Sequence, residues 1–123
     1  MDLKDYVGIW RNDSGNEIII EPKDKKSLRV SFISHVDNKP VKRQYSDGSY
    51  SIEMHAELDY YKTSLEVELW EKGKGFQLSL MPDIMNENEL VPGISRYTDD
   101  KFLDKYFYLF GPLTRYSRIS KTF

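Results

Sequence analysis

Tyr50-Ser51-Ile52-Glu53-Met54-His55-Ala56-Glu57-Leu58 alternates apolar and polar residues over nine positions. Tyr50, Ile52, Met54, Ala56 and Leu58 hold one phase; Ser51, Glu53, His55 and Glu57 hold the other. A period of two places successive side chains on opposite faces of an extended chain, and no helix produces it. The stretch therefore reads as a half-buried β-strand, and the same pattern recurs outward from it. Downstream, Asp59 to Thr63 is a loop carrying Tyr60 and Tyr61. Leu65, Val67 and Leu69 then alternate with Glu66 and Glu68, and Gly73-Lys74-Gly75 turns the chain into Phe76, Leu78 and Leu80. Tyr50–Leu58 is expected to pair antiparallel with Leu65–Trp70, with Ile52, Met54, Val67 and Leu69 inside. Upstream, Leu28, Val30 and Phe32 share a face, and Glu17–Glu21 carries the β-branched run Ile18-Ile19-Ile20.

The remaining segments complete a meander. Asp2 to Tyr6 forms one helical turn capped by Asp2. Val7 to Asn12 is the first strand, and Asp13-Ser14-Gly15-Asn16 is a turn signal. Val41–Tyr45 is a weak strand before the turn Ser46-Asp47-Gly48-Ser49. Pro82–Glu89 reads as a polar loop. Leu90–Tyr97 reads as a strand in which Pro92-Gly93 imposes an edge, a bulge or a loop, because proline has no donor for a ladder bond. Thr98-Asp99-Asp100 signals a single short helix, Lys101–Lys105. Tyr106–Phe110 and Leu113–Ile119 are the last strands. The fold class expected is all-β: one domain over residues 1–123, an antiparallel eight-stranded up-and-down barrel with a short helix before the C-terminal strands. Closing the sheet removes its unpaired edges, and eight strands leave an interior that side chains fill or that holds one small ligand.

Composition narrows the function classes. With 39% hydrophobic and 31% charged residues the chain has the make-up of a soluble globular domain. A net charge of −2 supplies no general attraction to nucleic acid or anionic membrane. With no cysteine there is no thiolate metal site and no thiol nucleophile. The opening Met1-Asp2-Leu3-Lys4-Asp5 lacks the apolar core of a signal peptide, and no run reaches the roughly 20 apolar residues of a membrane span. The chain as written is expected in the cytoplasm, or secreted or periplasmic if a signal peptide has been removed ahead of it.

Few residues suggest catalysis. The imidazoles are His35 and His55, and His55 stands on the outward phase among Ser51, Glu53 and Glu57, which favours a surface histidine over a triad. Two histidines with scattered carboxylates match no zinc spacing. Glu53, Glu57, Glu66 and Glu68 share an outer face, a pattern that more often keeps a sheet solvated than binds a cation. The C-terminal aromatics, interleaved with Arg115 and Arg118, suit core packing and a Tyr-lined pocket better than base stacking, given Asp99, Asp100 and Asp104 beside them. No catalytic residue, metal or cofactor is expected.

The first strand carries Tyr6-Val7-Gly8-Ile9-Trp10-Arg11-Asn12. A Trp there plugs one end of a barrel, and Gly8, without a Cβ, lets backbone approach beneath it. This Gly-x-Trp opening, ahead of eight strand-like runs, resembles the calycin superfamily, which includes lipocalins, fatty-acid-binding proteins and avidins. In lipocalin-like barrels an Arg on the last strand covers that Trp. Arg118 is the nearer match and Arg115 the alternative, so the resemblance implies a barrel-end motif of Gly8, Trp10 and Arg118, with the guanidinium within about 6 Å of the ring. Tyr116 and Arg118 share a face, but in the reverse order of the Arg-x-Tyr pair with which fatty-acid-binding proteins hold a carboxylate. The resemblance implies a binding protein, not an enzyme, for a small hydrophobic or amphipathic molecule. The ligand is expected to meet Tyr50, Ile52, Met54, Val67, Leu78, Leu80, Tyr106, Tyr108 and Tyr116. Expected partners are that ligand alone, with no nucleic acid and no membrane insertion, in a monomer or weak dimer. The rival is a macromolecular binder: small bacterial protease inhibitors include lipocalin-like barrels, and Val91-Pro92-Gly93-Ile94-Ser95-Arg96 would be its protruding loop.

Overall fold

The computed structural model describes residues 1–34, 43–44, 50–104 and 114–122. A helical turn, α1 (Leu3–Tyr6), precedes the strands β1 (Gly8–Arg11), β2 (Glu17–Pro22), β3 (Ser27–Ser34), β4 (Arg43–Gln44), β5 (Tyr50–Leu58), β6 (Leu65–Glu71), β7 (Lys74–Asp83), β8 (Asn86–Tyr97) and β9 (Tyr116–Ser120). The sheet runs β3-β2-β1-β9-β8-β7-β6-β5, and pairing of β3 with β5 closes it. The result is an eight-stranded antiparallel up-and-down barrel, with the two-residue β4 beside β5. Among the described residues no helix is long and apolar enough to cross a membrane.

Alternation on each strand builds the core. Trp10, Ile18, Ile20, Val30, Phe32, Ala56, Leu65, Val67, Phe76, Leu78, Leu80, Leu90 and Tyr116 are wholly buried in one cluster, with Met54 and Leu69 nearly so. Burying such side chains stabilises by about 1.5–3 kcal/mol each. β5 pairs with β6 antiparallel through His55↔Glu68, Ala56↔Val67, Glu57↔Glu66 and Leu58↔Leu65, and its other edge pairs with β3 over its first eight residues.

The C-terminal half differs from the sequence expectation in three places. Pro82–Glu89 is not a loop: β7 runs to Asp83, Ile84 and Met85 form the turn, and β8 starts at Asn86. The polar residues Asn86, Glu87 and Asn88 belong to a hairpin that extends at the barrel rim, where both faces meet solvent and alternation is no longer required. Nor does Pro92-Gly93 interrupt β8, for Leu80↔Pro92 and Ser79↔Gly93 are paired. The recorded β8–β9 register covers Glu89 and Leu90 alone, so Pro92 lies beyond that ladder. It follows that Val91–Arg96 is a paired strand and not a protruding inhibitory loop. The last strand begins at Tyr116, three residues later than expected. Residues 100–104 are helical; Asp99 Oδ1 accepts the Phe102 N–H at 2.7 Å, and Phe102 packs on Phe76 with ring centroids 5.9 Å apart. The expected strand Tyr106–Phe110 lies outside the described residues.

Candidate functional site

The barrel has two unlike ends. At one end α1 lies under the first strand. Trp10 is wholly buried and donates its indole N–H to Tyr6 O at 3.0 Å. Arg118, opposite Trp10 in the β1–β9 ladder, lays its guanidinium 4.2 Å from the ring centroid. It also donates from Nη1 to Val7 O at 2.8 Å, from Nη2 to Asp5 O at 2.5 Å and from Nε to Asn88 Oδ1 at 3.1 Å. One planar fork thus stacks on an indole and ties α1, β8 and β9 together, a task for which an ammonium lacks the shape. Burial lowers the Arg118 pKa, and Asp5 and Glu87 oppose that shift. Gly8 has φ +142°, and a Cβ there would lie 2.2 Å from Ser120 O. Arg115 has other partners, the carboxylates of Asp83 and Glu89, so it is Arg118 that covers Trp10.

The other end carries polar groups of another kind. Asn12 follows β1 and Asn16 precedes β2; both are buried. The Asn16 N–H donates to Asn12 Oδ1 at 2.9 Å, which directs the Asn12 Nδ2 away from its neighbour's backbone. The last recorded β1–β9 pair is Arg11↔Ser117, so Asn12 and Tyr116 occupy the next positions on the two strands. Asn12 Nδ2, Asn16 Oδ1, Thr114 Oγ1 and Tyr116 Oη are buried, and none has a hydrogen-bond partner among the described residues. Burial raises the Tyr116 phenol pKa well above its ordinary value. The Tyr6 hydroxyl is also buried and unpartnered; burial first, then the carboxylates of Asp59, Asp5 and Glu66, push it up to about 12.

Between the ends, Met54, Val67, Leu78, Leu80 and Tyr116 are brought together in the interior. Tyr50 and Ile52 lie on β5, but their side chains, like all of Tyr106 and Tyr108, fall outside the described residues. Asn12, Asn16 and Thr114 do not stand out as a site in the sequence: Asn12 ends the expected first strand, Asn16 beside Gly15 reads first as turn chemistry, and Thr114 reads as a residue of the last strand. The signal was nevertheless present: Asn12 stands in phase with Gly8 and Trp10, and therefore faces inward.

On the outer face, His55 Nδ1 faces Lys23 Nζ at 2.9 Å and Nε2 faces Glu57 at 2.7 Å. Lysine only donates, so Nδ1 accepts and Nε2–H donates to Glu57, an arrangement with no nucleophile in it. Glu66 accepts from Ser79 Oγ at 2.8 Å and from Ser64 and Ser95 Oγ at 3.1 Å, so this outward carboxylate is tied down by hydroxyls across three strands. At the α1 end two hairpin tips project: Tyr60, Tyr61, Ile84 and Met85 are between 79% and 98% exposed. A groove of about 640 Å³, lined by Met81, Pro82, Ile84 and Lys62 among others, separates them.

No known family model, curated protein or solved structure matches this chain.

Proposed function

We propose that the chain is a non-enzymatic binding protein for a small amphipathic molecule held inside the barrel, as the calycin-like pattern of Gly8, Trp10 and Arg118 implies. The observation that carries this reading is the Tyr116 hydroxyl. It sits in the core cluster with Met54, Val67, Leu78 and Leu80, wholly buried and without a protein partner. Leaving such a group unmet costs about 1–3 kcal/mol, so a ligand that meets it gains what folding left unspent. The apolar lining would hold the rest of the molecule. Native mass spectrometry of the gently purified protein tests it: a small-molecule adduct is expected, lost on unfolding and lost in Val67→Phe, which fills the interior. A wild-type spectrum of bare protein that also takes up no added amphiphile overturns the reading.

A second reading is a macromolecular binder. The exposed Tyr60, Tyr61, Ile84 and Met85 favour it, since large apolar side chains at hairpin tips supply the anchors of protein interfaces. The tips replace Val91–Arg96 as the contact surface. Tyr60→Ser with Ile84→Ser leaves a barrel ligand in place, whereas the same pair weakens binding to a protein partner.

A further inference from the structure

We infer that the barrel end opposite α1 is a head-group site for a neutral ligand bearing both a hydrogen-bond donor and an acceptor, an amide or lactam, read by Asn12, Asn16, Thr114 and Tyr116. The inference rests on the carrier reading above and specifies which end of the ligand goes where.

Three adjoining strands place these residues side by side. Asn12 and Asn16 face each other across the first turn, where Asn12 N–H donates to Asn16 O at 3.0 Å and Asn16 N–H donates to Asn12 Oδ1 at 2.9 Å. Tyr116 is next to Asn12 across the β1–β9 seam, and Thr114 lies two residues before it, just ahead of β9. The first hairpin therefore uses its backbone and one side-chain oxygen on itself. It leaves the Asn12 amide N–H₂, the Asn16 amide oxygen and two hydroxyls with no partner. Buried polar groups in folded proteins are almost always bonded, and four unpartnered atoms at the ends of three neighbouring strands mark a place where folding stops short.

Donor and acceptor capacity sets the ligand class. Asn12 Nδ2 can only donate, and its orientation is fixed because Oδ1 already serves a backbone N–H. Asn16 Oδ1 can only accept, and a hydroxyl does either. A carbonyl beside an N–H answers both requirements at once. A carboxylate does not: its charge needs a cation in a desolvated site. The two arginines nearest the C-terminus are committed elsewhere, Arg115 to Asp83 and Glu89, and Arg118 to Trp10 and the carbonyls of Val7 and Asp5. The Tyr6 hydroxyl belongs to the opposite end, beside the carboxylates of Asp59, Asp5 and Glu66.

The test uses three probes with one tail, decanamide, decanol and decanoate, measured by calorimetry against the full chain. Decanamide should bind about tenfold or more tighter than decanoate at neutral pH. Tyr116→Phe, which removes one oxygen and keeps the ring, should weaken decanamide about tenfold, the equivalent of one hydrogen bond. Asn16→Ser should narrow the gap between decanamide and decanol. Urea unfolding of each variant checks that the fold persists. Decanoate binding as tightly as decanamide overturns the head-group assignment and leaves the carrier intact. So does an amide preference unchanged in both variants. If none of the three probes binds, the carrier reading falls and this inference with it.

Discussion

The two ends of the barrel are made from the same strands and treat their polar groups in opposite ways. At the α1 end the indole N–H of Trp10 and the guanidinium of Arg118 all find carbonyl or amide oxygens, while the Tyr6 and Ser27 hydroxyls go without among the described residues. At the far end, among the described residues, four buried side-chain atoms have no partner. A plug is stable to the extent that its polar groups are met, because an orphaned group in low dielectric costs more than a met one gains. A receiving site can leave some unmet, since a ligand completes them. The comparison teaches that the contacts that close this barrel and most of the buried groups it leaves unmet reside at different ends.

The predictions probe that division. The largest effect is expected at Trp10: Trp10→Ala should lower unfolding free energy by about 3–5 kcal/mol in urea denaturation. A loss under about 1 kcal/mol would mean that the α1 end is no plug. Gly8→Ala follows, at roughly 1–3 kcal/mol, because its Cβ would collide with Ser120 O in a backbone that has φ +142°. Unchanged stability there would show that β1 and β9 can part without cost. Arg118→Lys should destabilise by about 1 kcal/mol or more through lost stacking and lost hydrogen bonds together.

At the far end the sign reverses. Tyr116→Phe should raise the stability of the free protein by about 1 kcal/mol, since it deletes a hydroxyl that nothing in the protein meets. A stability loss of similar size would show the hydroxyl to be satisfied and would erase the contrast between the ends. The smallest effect at neutral pH is titration, which emerges only in alkali. Folding raises both buried phenols above the ordinary value of about 10. Their contribution to stability is thus fully present below that value and is lost as pH rises, toward about 12 for Tyr6. Alkaline unfolding followed by tyrosinate absorbance should therefore show a step, and Tyr116→Phe should shrink it.

What the sequence determined by itself was whatever depends on local period and stereochemistry. Alternation across Tyr50–Leu58 assigns Met54 and Ala56 inward and His55 and Glu57 outward, as found. Asp99 ahead of residues 100–104 caps the helix it announces. Gly8 and Trp10, two residues apart, locate the plugged end, and Arg118 reaches it because a closed barrel makes its first and last strands neighbours. Tertiary structure alone decided the rest. Whether Asn86–Glu89 is loop or strand depends on a partner strand, not on composition. Pro92 is tolerated because of which ladder passes it by. Asn12 ends the expected first strand and Asn16 the turn after it, and they become buried, half-satisfied amides only when β9 closes against β1 and brings Tyr116 alongside. Period two encodes which face a residue takes; which groups on that face are left without a partner is settled by register between strands more than a hundred residues apart.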